Sequence, residues 1–544
     1  MVSCLKLGKR NSFLLVYVCL ICNLLVSCAA ISPSTLGKKD LSPYDFGLSH
    51  ARNGEERFRI LYKTHTAAVA AGVNVIYAGI KRIDLEIPQD AVSIPLTENN
   101  DFAGVEFRVR NTKKHFYLFL YSPKSAAVTV SKRDIDRGDF RSYPQLAHGR
   151  VLLTVSDDNP WVENREGYKY GHARKDILLL KNGLAQNKTV MPYNNTNSSP
   201  SCAFYSLLFN GMTVSNVSLE RSENSTFKTY LMNVSGVDGL TLENVAIHTP
   251  ENQGESDVAI TIKDCTNVTF ENVRIDGTYS RKDYSGYGVS MNNIWNFKVR
   301  KMYGHGNWGV FGTNNVNVAS FEDSDINRFD IHCYGRDVSF KNVTFRDKYN
   351  QFASVFGTIL FDGCTFIDFT PIVNGPSYNA YVGYDVVMKD CVLRQSQGTA
   401  VLIDEGYIDN RVNSRPELSS RCLPNIDISN LTIQVGEKVQ KAFLFYFRER
   451  SIGKQGIQGL SSIRIDGLRF QYDGDVARTP ADFYTSNVSV DVKSTVRQTI
   501  RNVDLIGNAV KPSQSKGKLF HRLEMKSPKS TLRSTNVRAN GVEK

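Results

Sequence analysis

The sequence predicts an all-β solenoid whose coils each contribute three short strands. Three observations predict it: one type of turn residue recurs down the chain, apolar residues flank it at fixed positions, and the repeat is about 29 residues long. Segments such as TLENVAI, TFENVRI, SFKNVTF, LFDGCTF and VMKDCVL align on a turn residue at Asn216, Asn244, Asn272, Lys301, Asp323, Asn342, Gly363, Asp390, Asn430, Gly467 and Asn502. Ten of these eleven are Asn, Asp or Gly, the types that best tolerate a left-handed backbone, so the column predicts a sharp bend once per coil. Two positions before the bend every residue is apolar, as in Val214, Leu242, Phe270 and Phe340. One and three positions after it, pairs such as Val217 and Leu219 or Val343 and Phe345 repeat the alternation. That is strand periodicity interrupted by one bend. The spacing is too long for a hexapeptide repeat, and the coils lack the helical period of ankyrin or leucine-rich repeats.

The repeat accounts for features that otherwise suggest chemistry. Asn216, Asn342 and Asn430 head N-x-[ST] triplets, but a bend Asn, an inward apolar residue and an outward Ser or Thr produce that triplet without glycosylation. Cys364 and Cys391 fall in the inward column, which predicts packing rather than catalysis or metal binding. Beyond the N-terminal 28 residues six cysteines remain, with no C-x-x-C pair and no zinc spacing.

The turn column and its flanks resemble the right-handed parallel β-helix of pectate-lyase-like proteins, over about residues 200–510. The resemblance implies an all-β, right-handed parallel β-helix with an Asn/Asp/Gly ladder, an N-terminal capping helix, and a function placed on outward side chains and loops. Residues 1–28 read as a leader: Lys6, Lys9 and Arg10 precede an apolar run from Ser12 to Leu25, too short to span a bilayer. The leader ends in Leu25-Val26-Ser27-Cys28, which resembles a bacterial lipobox with Cys28 as the lipid anchor; cleavage near Ala29-Ala30 is the alternative. An exported, envelope-bound or secreted protein is expected. Residues 29–200 are expected to hold the cap, with a helix-compatible stretch at Glu55–Ala71, and the first strands. Residues 201–510 then form the β-helix, and 511–544 a solvated basic tail.

The formal charge of +12 is concentrated at the ends: +3 in residues 1–28 and +7 in 511–544 leave +2 for 29–510. A near-neutral body argues against a nucleic-acid partner. Positive charge useful to an acidic ligand is placed locally instead.

Departures from the ladder mark the candidate site. After Lys301 the chain runs Gly304-His305-Gly306-Asn307-Trp308-Gly309-Val310-Phe311-Gly312-Thr313-Asn314, and four glycines in nine residues signal a close backbone approach. The next coil carries Arg328, Asp330, His332, Tyr334 and Arg336. Stacking at equal offsets brings Trp308, Asp330 and Tyr349 together, with His332 and Gln351 alongside. Aromatic rings suit sugar faces, and Arg and Asn suit hydroxyl and carboxylate oxygens.

The lyase resemblance asks for three tasks on a uronate-containing, acidic polysaccharide. Arg328 or Asn307 would neutralise the carboxylate, His332 or His305 would remove the C5 proton, and Tyr334 or the same histidine would protonate the leaving oxygen. Asp330 would orient the imidazole, and Trp308, Asn314, Arg336 and Tyr349 would bind sugar. A second cluster, Trp161, Arg165 and Arg174, would overhang the groove, and Asp157 and Asp158 offer carboxylates to Ca²⁺, a cofactor common among such lyases. The alternatives are a glycoside hydrolase using Asp330 with Asp323, Asp325 or Asp347, and a non-catalytic glycan-binding adhesin.

Overall fold

The computed structural model describes residues 40–506 apart from 114, 163–171, 190–192, 194–199, 223–224, 226–228, 250–258, 278–286, 307, 333–334, 353–354, 375–383, 406–424, 448–460, 473–481 and 487–495, and it also describes 531–539 and 542–543. The leader and Cys28 lie outside these residues.

All eleven predicted bends have a left-handed backbone, with φ from 50° at Asp323 to 78° at Gly467. Their side chains join successive coils. Asn244 Nδ2 donates to Asn216 Oδ1 (2.9 Å), Asn272 Nδ2 to Asn244 Oδ1 (2.7 Å), and Asn342 Nδ2 to Asp323 Oδ1 (3.1 Å). The amide nitrogens of Asn216, Asn342 and Asn430 are thus engaged in the ladder, donating to Asp101, Asp323 and Asp390.

Each coil runs through a first-sheet strand before the bend, a second-sheet strand after it, and a third-sheet strand that returns. All three sheets pair in parallel: Leu242 with Phe270 in the first, Ile247 with Ile275 in the second, Ile262 with Met291 in the third. The fold is the right-handed parallel β-helix. Inward residues stack in like columns, Phe321 on Phe340 at 4.9 Å and Phe340 on Phe361 at 5.1 Å between ring centroids. Cys364 and Cys391 are buried within this core as free thiols. Cys333 and Cys422 lie outside the described residues.

A second bend at the corner between third and first sheets was not legible as a column. Asp264, Asn293 and Asn315 are left-handed there, with Asn293 Nδ2 donating to Asp264 Oδ1 at 2.8 Å.

The predicted cap forms as the helix Gly54–Ala71. Asn53 caps its start by accepting from the Glu56 amide, and Gly72 ends it at φ 63°. Phe58 and Leu61 lie on its buried face, with Phe58 edge-on to Phe116 at 5.6 Å, so the helix seals the first coil.

Two boundaries differ from expectation. Coiling begins well before residue 201: strand Arg82–Glu86 pairs with Asn99–Arg110, which pairs with Met212–Arg221, and Phe116–Tyr121 pairs with Thr229–Ser235. The early bend escaped notice because it is made by Ala103 and Gly104, while Asp101 supplies the ladder oxygen that accepts from Asn216. At the other end Thr531–Ala539, expected in a solvated tail, pairs with Val496–Ile506, and Asn536 Nδ2 donates to Asn502 Oδ1 at 2.6 Å.

Between the early coil and residue 212 an antiparallel five-stranded sheet is inserted. Its strands are Ala126–Val128, Arg150–Val162, His172–Lys181, Leu184–Ala185 and Ser201–Ser206. It has its own core around Phe140, Leu153 and Leu180. It docks through Leu152, Ile177 and Tyr205 on Trp295, through the Arg150–Asp238 ion pair, and through Tyr205 OH, which donates to Asp264 Oδ2 at 2.9 Å.

Two outcomes follow. Lys301 is the one bend residue that is neither Asn, Asp nor Gly, and it sits at φ 51°; Lys301→Asn should raise stability by about 1 kcal/mol in chemical denaturation, whereas an unchanged or lower midpoint would contradict the ladder's energetic role. His65, buried under the cap, donates from Nδ1 to Pro95 O (2.9 Å) and accepts at Nε2 from Tyr77 OH (2.8 Å). Burial lowers its pKa from 6.5 to about 4, so its neutral form contributes stability above pH 6.5 that is lost as pH falls toward 4. The melting temperature of the wild type should therefore drop more across that window than that of His65→Gln.

Candidate active site

The site lies on the outward face of the third sheet, where the corner from the second sheet is shortest. Strand Tyr287–Arg300 pairs with Gly309–Glu322, and this pairs with Phe329–Ile331, which pairs with Gln351–Phe352. Gly312, Asp330 and Gln351 are neighbours across three coils. Equal offsets from the bend therefore misalign this sheet, because corner lengths differ from coil to coil.

The glycines make a shelf. A Cβ on Gly312 would stand 2.5 Å from the Tyr287 ring, and one on Gly309 2.9 Å from Arg328 Cδ. Removing those side chains lets the phenol and the guanidinium lie flat on the sheet. Arg328 is then enclosed between two rings, its Cζ 4.3 Å from the Trp308 centroid and 4.1 Å from that of Tyr349.

Beneath the rings is a buried ion pair. Arg328 Nε donates to both oxygens of Asp330 at 2.6 Å, and the two side chains are 1% and 0% exposed. Asp330 also accepts from the Gln351 amide (3.1 Å) and from Tyr287 OH (2.9 Å). Burial alone would raise its pKa, but Arg328 and His332 outweigh burial and hold it below the usual carboxylate range. For Arg328, burial is likewise outweighed by Asp330, and its pKa is raised. Each partner thus favours the ionised form of the other.

Tyr287 links this pair to His332. Its hydroxyl donates to Asp330 Oδ2, and Trp308 Nε1 donates to it at 2.9 Å. The remaining contact, Tyr287 OH with His332 Nε2 at 2.9 Å, must then be donated by the imidazole. Burial, reinforced by the Asp330 charge, pushes the phenol's pKa up, so it stays protonated. The result is a chain Asp330–Tyr287–His332 that fixes Nε2–H and leaves the imidazole lone pair on Nδ1. The His332 side chain is 18% exposed, so it meets solvent at the edge of an otherwise closed cluster.

The structure thus brings together Trp308, Arg328, Asp330, His332 and Tyr349. It corrects the role expected of Arg328: a guanidinium stacked between two rings and bonded to Asp330 is withdrawn from any ligand carboxylate. Asp330 orients His332 through Tyr287 rather than by direct bonding, its Oδ2 being 3.5 Å from Nε2. His305 is placed elsewhere, on the second sheet, with Nε2 2.8 Å from Asp325 Oδ1. Arg336 lies beyond the next corner, paired with Asp337 at 3.1 Å. Asn314 is half-buried beside Asn292 on the third sheet.

Asn307, Tyr334 and Arg165 lie outside the described residues, as do the side chains of Trp161, Arg174 and Asp158. Trp161 and Arg174 belong to strands of the inserted sheet, and His172–Lys181 lies against Tyr287–Arg300 and Gly309–Glu322. Asp157 is buried in that sheet. Among the described residues no three metal-ligating side chains converge. Tyr287 was missed because it opens its strand fifteen positions after its bend, whereas its partners stand seven to nine after theirs; its place between Gly286 and Gly288 was the available signal.

No family model matches this sequence, and no curated protein matches it. Among solved structures the chain is similar to the tailspike of Pseudomonas phage phi297, at 12% identity and TM-score 0.47 over 86% of this chain and 80% of that one. It is similar also to the tailspike of Acinetobacter baumannii bacteriophage AP22, determined in complex with a capsular saccharide, at 12% identity and TM-score 0.47 over 84% and 79% of the two chains. The catalytic unit of a GH87 α-1,3-glucanase from Streptomyces thermodiastaticus matches at 11% identity and TM-score 0.30 over 76% and 88%.

The buried pair makes a stability prediction. Arg328→Met strands a buried carboxylate and should cost about 3–5 kcal/mol in chemical denaturation, while Arg328→Met combined with Asp330→Asn should recover most of it. A double variant as unstable as the single one would contradict the ion-pair account.

Proposed function

We propose that this chain is a polysaccharide lyase that cleaves a uronate-containing polysaccharide by β-elimination, with His332 as the base. The observation that carries this reading is the hydrogen-bond chain from Asp330 through Tyr287 to His332, which holds a proton on Nε2 and so makes Nδ1 the basic nitrogen of the neutral ring. His332 Nδ1 takes the C5 proton, the C5–H electrons form the C4–C5 double bond, and the C4–O bond breaks. The imidazolium then returns the proton to the departing glycosidic oxygen, so acid and base are one residue and no water is consumed. Asp330, already ionised, stabilises the transient imidazolium through Tyr287. Of the two candidates for holding the uronate carboxylate, Arg328 is buried, which leaves Asn307.

Hydrolysis asks for two carboxylates flanking the bond. Of the acids that would serve it, Asp323 is engaged in the ladder with Asn342, Asp325 with His305 and Arg346, and Asp330 with Arg328, while Asp347 is exposed on the second-sheet corner.

The purified protein, offered a panel of uronate polysaccharides, should release products with the ultraviolet absorbance of a conjugated double bond. His332→Ala should lower kcat by about 100-fold or more. Tyr287→Phe, which removes the acceptor of Nε2–H, should lower kcat with little change in KM. New reducing ends without that absorbance would sink elimination in favour of hydrolysis, and binding with neither would favour an adhesin.

A further inference from the structure

Around the corner from His332, the second sheet carries an outward strip that the reaction above does not use. It contains two groups of the same three residue types, an aspartate held by a histidine and an arginine. Asp276 takes His248 Nδ1 on one oxygen (2.6 Å) and Arg274 Nη2 on the other (2.6 Å). Asp325 takes His305 Nε2 at 2.8 Å and Arg346 Nε at 3.0 Å. Between them stands Tyr303, 37% exposed, with Arg274 Cζ 4.1 Å from its ring centroid and the His305 ring 4.5 Å away.

These residues follow one another coil by coil. Arg274 pairs with Tyr303 and Tyr303 with Asp325, while Asp276 pairs with His305. Arg346 belongs to the coil after Asp325. Three coil steps, about 14 Å along the axis at the strand spacing, separate Arg274 from Arg346, which stands two residues further along its strand than Thr344, the residue in register with Arg274. Each arginine commits one edge of its guanidinium to an aspartate and stays 56% and 39% exposed, respectively. Five N–H groups per guanidinium leave donors beyond those bonds. The aspartates neutralise and orient the arginines, and their own oxygens are occupied.

We propose that this strip is a second, non-catalytic binding site for an acidic glycan, which lies along the β-helix axis with one sugar per coil. Arg274 and Arg346 take carboxylate or sulfate groups three sugars apart, and Tyr303 supports the apolar face of a ring between them. A polymer of repeating anionic units matches a surface whose cations are spaced by a repeating coil. The choice of an acidic glycan rests on the proposed lyase reading, but the strip itself does no chemistry.

Binding is best read by calorimetry in the His332→Ala background, where nothing is cleaved. The probes are oligomers of galacturonate, of mannuronate and of a sulfated glycosaminoglycan, two to six units long, with a neutral glucan oligomer of the same length. Affinity for at least one acidic series should rise between two and four units, where the second arginine is reached. Arg274→Gln with Arg346→Gln should weaken the longer oligomers by tenfold or more and the dimers little, and Tyr303→Ala should act in the same sense. Paired Arg→Lys changes should restore part of the loss, which a folding defect would not allow. The proposal is overturned if the Gln pair, with an unchanged melting temperature, binds like its parent, if the neutral oligomer binds as tightly, or if none of the acidic series binds. Should wild-type protein release no unsaturated product while the Gln pair still loses binding, elimination fails and the strip stands.

Discussion

The constraint on which this molecule depends is a left-handed bend repeated once per coil and held in register by side-chain amides. A single residue at φ near 50° turns the chain between the first and second sheets, and Asn or Asp there bonds its counterpart one coil away. That contact ties the register of each coil to the last. Inward columns of Phe, Ile and Val can then stack like on like, and outward residues on the second and third sheets acquire fixed neighbours. Both the phenol–imidazole cluster and the arginine strip are consequences of register rather than of local sequence.

Within that frame the site is set by what is left out. Gly309 and Gly312 remove side chains from a stretch that would otherwise be a continuous wall, and Arg328 and Tyr287 settle in the space. A cation buried between Trp308 and Tyr349 demands a buried anion, and Asp330 answers it. The carboxylate's remaining capacity is spent on Tyr287, and through it on the tautomer of His332. Stability and reactivity are coupled here, since the residues that keep the ion pair dry are the ones that aim the imidazole.

The bends at 216–502 were readable from the sequence because Asn, Asp and Gly are nearly alone in accepting that backbone, and the capping helix because its polar N-cap and apolar face are local. The coils at 82–121 were not, since Ala103 and Gly104 make the bend there and Asp101 offers only the oxygen. The grouping of Trp308, Arg328, Asp330, His332 and Tyr349 was visible from stacking offsets. The burial of Arg328 was not, because residue type alone does not tell whether a guanidinium faces solvent or two aromatic rings. The place of Tyr287 depends on corner length, which a one-dimensional alignment does not carry, whereas His305 meets Asp325 diagonally across the second sheet, at offsets four and two from their bends.

The central claim is that a buried carboxylate dictates, through a tyrosine, which nitrogen of His332 holds the proton. Nitrogen-15 NMR of imidazole-labelled protein, with the His332 signal assigned by its loss in His332→Ala, reads that directly. The account predicts that the neutral form of His332 is protonated on Nε2, shifting toward a mixture of tautomers in Tyr287→Phe. A His332 protonated on Nδ1, or a tautomer indifferent to the loss of the Tyr287 hydroxyl, would contradict it.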